Sequence, residues 1–336
     1  MKGPNDRVRS GSVGVWSSPS PVWALALTLS LWSCAAHAPV EANAPPPESS
    51  EHQVDAATAA VLERSGIGAR QLRCNSRALY GVNLMSLARD AVSTVATQWE
   101  VQPDPEGAHE AARTVLGYMV RANFVEHRPH NLGAIEVRGY RVKDEAGERP
   151  LVLFRSGVLV DVGEPESCLH SLIGEADVEH VVNLYAGSFP FYDFIDAEAA
   201  VIRAHGGTHH SEPRTGRSWR NLIEEPAEYA HNREQAMRAV ARLIREQVLL
   251  PGGEVARGNV LLHCGGGMHR TGMVYGIIRR CINGDDMSVV EDDYKQHVAY
   301  QDAETPGGYE SLNVRFIREF DCRLLQTEEA ALERGD

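Results

Sequence analysis

Val260-Leu-Leu-His-Cys-Gly-Gly-Gly-Met-His-Arg-Thr-Gly272 is the stretch that decides how this 336-residue chain is read. An apolar run ends in Cys264, three glycines turn the chain, and Arg270 opens a second apolar run from Met273 to Ile282. The first run predicts a strand over Asn259 to His263, and the second predicts a helix starting near Arg270. Thiol and guanidinium then converge on one small space. A cysteine attacks as its thiolate, and free N–H groups at a helix N-terminus favour that anion. The same N–H groups hold phosphate.

Each residue type has a place in such a loop. Gly265, Gly266 and Gly267 are expected to adopt positive φ and let the backbone approach a ligand closely. The amides of Gly265, Gly266, Gly267, Met268, His269 and Arg270 would then surround three phosphoryl oxygens. Arg270 adds a planar fork that clamps two of those oxygens and follows their charge into the transition state. The Thr271 hydroxyl is placed to donate to the sulfur as water hydrolyses a cysteinyl-phosphate, and His263 to brace the loop from the strand side. The candidate catalytic residues are therefore Cys264, Arg270, Thr271 and His263, with no metal or other cofactor expected.

The string His-Cys-x-x-Gly-x-x-Arg-Thr-Gly resembles the signature of the cysteine-dependent protein tyrosine and dual-specificity phosphatases. Its His269 to Gly272 ending is similar to an atypical plant and fungal branch that includes inositol-pyrophosphate phosphatases. Ile278 to Cys281, Met287 to Tyr294 and Phe316 to Phe320 resemble the helices after the loop in that branch. Asn131 to Ala134, Leu153 to Gly157 and Val181 to Leu184 are similar to the first strands of bacterial tyrosine phosphatase family proteins. The likeness covers about residues 125 to 325. It implies phosphomonoester hydrolysis on phosphotyrosine or phosphoserine proteins or on a small phosphorylated substrate. Relatives that handle polyphosphates resemble Gly-Lys-His-Arg or Gly-Lys-Asp-Arg, where this chain has Met268; this counts against inositol polyphosphates unless Arg214, Arg217 or Arg220 compensates, and an inositol phosphate or phosphoinositide phosphatase stays open as an alternative.

Outside the loop, composition divides the chain. Hydrophobic residues make up 43%, ample for a core, and the net charge of −13 argues against nucleic acid as a partner. Residues 1–38 read as an export signal, with Lys2, Arg7 and Arg9 ahead of an apolar stretch from Val22 to Leu31 that is too short to span a bilayer. Leu31-Trp-Ser-Cys34 resembles a bacterial lipobox, which would put a lipid anchor on Cys34 at the periplasmic face of a membrane. Cleavage after Ala36-His-Ala38 would instead release a soluble exported protein. Residues 39–53 have the composition of a disordered Pro-rich linker, and 326–336 form a tail. Residues 54–124 read as a helical extension, with helical spacing at Ala56 to Leu62, Leu84 to Val95 and Ala108 to Met119.

Within residues 125–325 short strands alternate with helices. Strands are predicted at Ile135 to Val142, Leu151 to Arg155 and His180 to Leu184, and helices at Asp196 to His205, Glu225 to Val248 and Glu310 to Leu325. Ser288-x-x-Glu291 reads as a capping box opening a further helix. The expectation is an α/β fold, a central sheet flanked by helices with the phosphate loop at a strand's carboxyl end.

A leaving oxygen ordinarily needs a general acid, yet no Asp lies between Asp196 and Asp285. Glu212, Glu224, Glu225, Asp193 and Asp196 are the candidates in reach along the chain. That gap keeps open a catalytically inactive phosphate-binding module. A sulfurtransferase or arsenate reductase also uses a cysteine loop, but Thr271 and His263 weigh against it. His209-His210 through Arg214, Arg217 and Arg220 form a basic loop, either solvated or facing an anionic substrate. His209-His210 is a weak metal suggestion with no further ligand at a telling spacing. Cys74, Cys168, Cys281 and Cys322 allow two disulfides in three connectivities, or stay as thiols. Cys281 is expected as a buried core thiol, and Cys168 or another cysteine as a reversible protector of Cys264.

Overall fold

The computed structural model describes residues 54–68, 72–74, 124–125, 128–144, 147–163, 167–185, 192–211, 219–223, 226–251, 255–298 and 309–326. The predicted export signal and linker, the helices predicted at 84–95 and 108–119, Glu212, Arg214, Arg217, Glu224 and Glu225 lie outside these residues.

Five strands form the central sheet: β3 (Gly133–Asp144), β4 (Gly147–Ser156), β5 (Val178–Asn183), β6 (Thr208–Ser211) and β7 (Asn259–His263). Their order is β3-β4-β7-β5-β6, and a separate two-residue ladder joins β1 (Phe124–Val125) to β2 (Arg128–Pro129). β3 and β4 are an antiparallel hairpin, while β4, β7, β5 and β6 run parallel. The strand that delivers Cys264 is thus central, and parallel strands of this kind are buried on both faces. β7 reads Asn-Val-Leu-Leu-His and is buried at every position.

Period-two alternation assigns each strand residue to one of two cores. Leu151, Leu153, Val260, Leu262 and Cys264 share one cluster with Val240 of α4 (Pro226–Leu243), Met273 and Ile277 of α5 (His269–Ile278), Tyr294 of α6 (Met287–His297) and Phe316 of α7 (Tyr309–Glu319). Val152, Phe154, Val181 and Leu261 belong to the other, with Leu62 of α1 (Ala56–Arg64), Leu169 and Leu172 of α2 (Cys168–Ala176) and Ile202 of α3 (Tyr192–Ala204). The result is the expected α/β architecture, a sheet between two helical layers. Of the helical extension, α1 is described: Asp55 caps it by accepting from Thr58 N at 2.9 Å, and the Thr58 hydroxyl accepts from Ala134 N of β3 at 3.3 Å.

Several expectations need correction. The predicted helix 225–248 is α-helical only to Leu243, and Ile244–Leu249 is a π turn. Ser288 is not an N-cap: α6 starts at Met287, and extended Asp286 takes the cap position with no side-chain cap bond. The predicted final helix ends at Glu319, with a separate 3₁₀ turn at Cys322–Leu325. His209 and His210 lie in β6, an edge strand that pairs with β5, not in a loop. Four residues with two imidazoles show no apolar alternation, so the strand carries no sequence signal. Arg220 is fully buried in a 3₁₀ turn at Trp219–Ile223, and its Nη1 donates to Ile223 O at 3.3 Å, so it is not a solvated cation.

The cysteines pair as Cys74–Cys168 and Cys281–Cys322, and Cys264 is the free cysteine among the described residues. Cys281 is therefore not a core thiol, because α5 continues as a π turn over Arg279–Asn283 and carries it to the segment after α7. Cys168 is committed to the extension and is not a protector of Cys264.

Candidate active site

Cys264 follows directly on β7 and is 6% exposed, opposite the N-terminus of α5. The intervening loop is shaped by its carbonyls. Gly265 O accepts from Val158 N at 3.0 Å, Gly266 O from Asn131 Nδ2 at 3.1 Å, and Gly267 O from Arg155 Nη2 at 2.6 Å. In a trans peptide the next residue's N–H points opposite to the carbonyl. Three carbonyls held from outside therefore turn the amides of Gly266, Gly267 and Met268 the other way, into a concave anion nest.

The outer donors are themselves fixed. His130 and Asn131 both take left-handed φ, 56° and 55°, in a tight turn before β3. From there the Asn131 amide also donates to His297 O at 3.0 Å, and its Oδ1 meets His297 Nδ1 at 2.6 Å. Arg155 is fully buried, its guanidinium lies 4.8 Å over the Tyr275 ring, and its Nη1 faces Asp293 Oδ2 at 3.4 Å. Asp293 is held in turn by Arg279 Nη1 at 2.9 Å. The Asn131-to-Ala134 and Leu153-to-Gly157 motifs of the sequence thus meet the loop in space. Their support of it was not read from the sequence.

Of the three glycines, only Gly267 has positive φ, at 68°, which corrects the expectation for Gly265 and Gly266. A Cβ on Gly267 would also lie 2.5 Å from the Ser156 carbonyl carbon, so glycine is required there twice over. Met268 is 5% exposed and packs beside Gly266, leaving no cation at that position of the loop. His269 and Arg270 are half-buried at the start of α5. The Arg270 Nε and the buried Thr271 hydroxyl have no hydrogen-bond partner among the described residues. Buried donors without protein partners, gathered at a helix N-terminus beside a thiol, suit a tetrahedral oxyanion.

His263 points to the opposite face of the sheet from Cys264. Its Nε2 lies 2.8 Å from Glu198 Oε1, and His209 Nε2 lies 2.9 Å from the same oxygen. Glu198 is 1% exposed on α3. Burial alone would raise its pKa, but the two imidazoles, His263 foremost, outweigh that and hold it down at about 2. These three residues offer ligand atoms within 4.8 Å of one another, so His209 does have the companions its sequence spacing did not show. Glu198 was missed because it is 65 residues from His263 in the chain and looks like any helix carboxylate.

Of the acid candidates, Asp193 and Asp196 lie on α3. Asp196 is exposed, and two helical residues turn about 200°, so it faces away from Glu198.

A family model described as "Tyrosine phosphatase family" matches residues 136–320, more than half of the chain, and the chain belongs to that family. It is a phosphatase. Among curated proteins none matches. Solved structures with similarity include the core catalytic domain of the PP-IP phosphatase SIW14 from S. cerevisiae in complex with citrate, at 15% identity and TM-score 0.35 over 55% of this chain and 88% of that one. The PTP-2 phosphatase of Cydia pomonella is similar at 16% identity and TM-score 0.27, over 49% of this chain and 83% of that one.

Proposed function

We propose that this chain is a thiolate phosphomonoesterase that acts on phosphorylated proteins through a cysteinyl-phosphate. The observation that carries this reading is the set of outward-held carbonyls at Gly265, Gly266 and Gly267, which aims three amides into the nest beside Cys264. The Cys264 thiolate attacks phosphorus as the bond to the leaving oxygen breaks. That oxygen takes a proton from an acid; Glu212, Glu224 and Glu225 are the carboxylates between β6 and α4. Water then attacks phosphorus, the S–P bond breaks, and the sulfur regains its electron pair as inorganic phosphate leaves. The amides and the Arg270 fork stabilise the equatorial oxygens in both steps. The Thr271 hydroxyl donates to the departing sulfur. No metal is part of these steps. The buried Met268 supports a monoester on a protein over an inositol polyphosphate, for which a cation at this position would serve better.

Export is part of the same reading, either on a lipid anchor at Cys34 or as a soluble protein cleaved after Ala38. Two disulfides support it, since such bonds persist in oxidising compartments.

The test is phosphate release by the purified chain, kept free of oxidant at Cys264, from phosphotyrosine and phosphoserine peptides and inositol phosphates. Cys264→Ser should abolish turnover and Arg270→Ala should lower it by about three orders of magnitude. Turnover that survives in Cys264→Ser overturns the thiolate mechanism. Binding of vanadate with no turnover by the unaltered chain would instead establish a phosphate-binding module.

A further inference from the structure

The reaction above leaves unused the buried carboxylate and two imidazoles behind β7. Glu198 from α3, His209 from β6 and His263 from β7 come together with side chains at most 2% exposed. Both Nε2 atoms converge on one oxygen, Glu198 Oε1, at 2.8 and 2.9 Å. A carboxylate oxygen only accepts, so both nitrogens carry the proton. A ring that is neutral then keeps Nδ1 as a lone pair. Nδ1 of His209 faces the Ser211 hydroxyl at 3.4 Å, and Nδ1 of His263 is buried with no partner among the described residues.

The same atoms could hold a metal, but the hydrogen bonds they make weigh against one. A zinc ion needs about 2.0–2.1 Å to each nitrogen and takes both Nε2 lone pairs, which forces the proton onto Nδ1. At His263 that would bury an N–H with no acceptor, at a cost an unpaired lone pair does not carry to the same degree. Contacts of 2.8 and 2.9 Å to a shared oxygen are hydrogen-bond lengths.

Glu198 is also no acid for the leaving group. Val260, Leu262 and Cys264 belong to one face of the sheet, and Leu261, one residue out of step like His263, belongs to the other. The carboxylate therefore meets the ring of His263, on the face of the sheet opposite the thiol.

We infer that Glu198 is a positioning residue: it fixes the Nε2–H tautomer and the orientation of His263, and so the end of β7 from which Cys264 projects, while His209 ties the same carboxylate to β6. The inference rests on the reading of Cys264 as nucleophile. β6 also leads into the segment that carries Glu212, so one buried anion holds both the strand bearing the nucleophile and the strand feeding that segment.

The experiment compares the purified chain with Glu198→Gln and Glu198→Leu, using a phosphotyrosine peptide and ¹⁵N-histidine spectra. The unaltered chain should show His263 as the Nε2–H tautomer, with the resonance assigned by its loss in His263→Asn. Glu198→Leu, similar in volume but without an acceptor, should lose about 100-fold in kcat with KM within twofold, as expected for a misplaced nucleophile. Glu198→Gln retains one acceptor and should recover at least tenfold of that loss. Should the leucine variant fail to fold, the glutamine variant still decides, through a mixed His263 tautomer and a kcat below that of the unaltered chain. An Nδ1–H tautomer in the unaltered chain overturns the inference, as does wild-type kcat in both variants, a loss confined to KM, or one equivalent of tightly bound zinc that Glu198→Leu removes. If the unaltered chain turns over no better than Cys264→Ser, the thiolate reading fails, and the tautomer spectra still decide whether Glu198 orders His263.

Discussion

Arg155 Nη2 donates to the carbonyl of Gly267 at 2.6 Å from a position wholly removed from solvent. One guanidinium thereby joins the end of β4 to the glycine loop, to Asp293 on α6 and to the face of Tyr275 on α5. A lysine has one point of charge and cannot serve all three at once. Arg155→Lys is expected to lower kcat/KM by about tenfold, and Arg155→Ala by about 100-fold with a loss of about 2–3 kcal/mol of stability. Steady-state phosphate release and urea unfolding check both. An alanine variant with unchanged turnover would show that the Gly267 carbonyl needs no donor.

The glycines at 266 and 267 should respond differently to alanine. At Gly267 the new Cβ meets Ser156 backbone at 2.5 Å under a φ of 68°, and neither can give way without moving β4 or the loop. At Gly266 it meets the Cε end of Met268, which has other rotamers. Gly267→Ala should therefore cost at least about 2 kcal/mol and nearly all turnover, whereas Gly266→Ala keeps activity within about tenfold. Equal damage from both would refute the asymmetry.

Reduction should loosen the molecule at two places. Cys74–Cys168 closes a separation of 94 residues and ties the N-terminal extension to α2, while Cys281–Cys322 closes 41 and ties α5 to the C-terminal turn. Loss of each is expected to cost about 2–4 kcal/mol, so the paired variants Cys74→Ala with Cys168→Ala and Cys281→Ala with Cys322→Ala should each unfold at lower denaturant. A midpoint for either that matches the unaltered chain would count against a structural bond.

His180 supplies a pH signature. Burial foremost, and then the charge of Arg257, lower its pKa from 6.5 to about 4. The folded state thus binds its proton later than the unfolded chain does. The His180 contribution to stability is full above pH 6.5 and is lost as pH falls toward 4. Guanidinium midpoints measured from pH 7 to 4 should fall more steeply for the unaltered chain than for His180→Gln. Parallel curves would remove His180 from the account.

The strand–loop–helix at Asn259 to Ile278 was legible because its signals are local: an unbroken apolar run, three glycines, then an apolar helix. β3, β4, β5 and α3 were legible for the same reason. The partners of the loop were not, because Asn131, Arg155 and His297 reach it across 135, 112 and, through Asn131, 166 residues of chain. Glu198 was hidden in the same way. The disulfides had three possible connectivities in the sequence, and only the packing of α2 beside residues 72–74 and of the turn at Cys322–Leu325 beside Arg279–Asn283 selects one. β6 escaped notice because an edge strand of Thr-His-His-Ser has no hydrophobic period to read.

His263 and Cys264 are neighbours in sequence and strangers in space, one behind the sheet and one before it. A slip of β7 by a single residue would exchange them, presenting an imidazole to the nest and hiding the thiol among α2 and α3. The fold could survive that exchange better than the chemistry could. Asn259 guards against it at the start of the strand, accepting from Val152 N at 3.0 Å and donating to Ala176 O at 2.7 Å. Leu184 N guards the other end, bonding His263 O at 2.7 Å. Alignment of one five-residue strand thus decides whether a thiol or an imidazole faces the glycine loop.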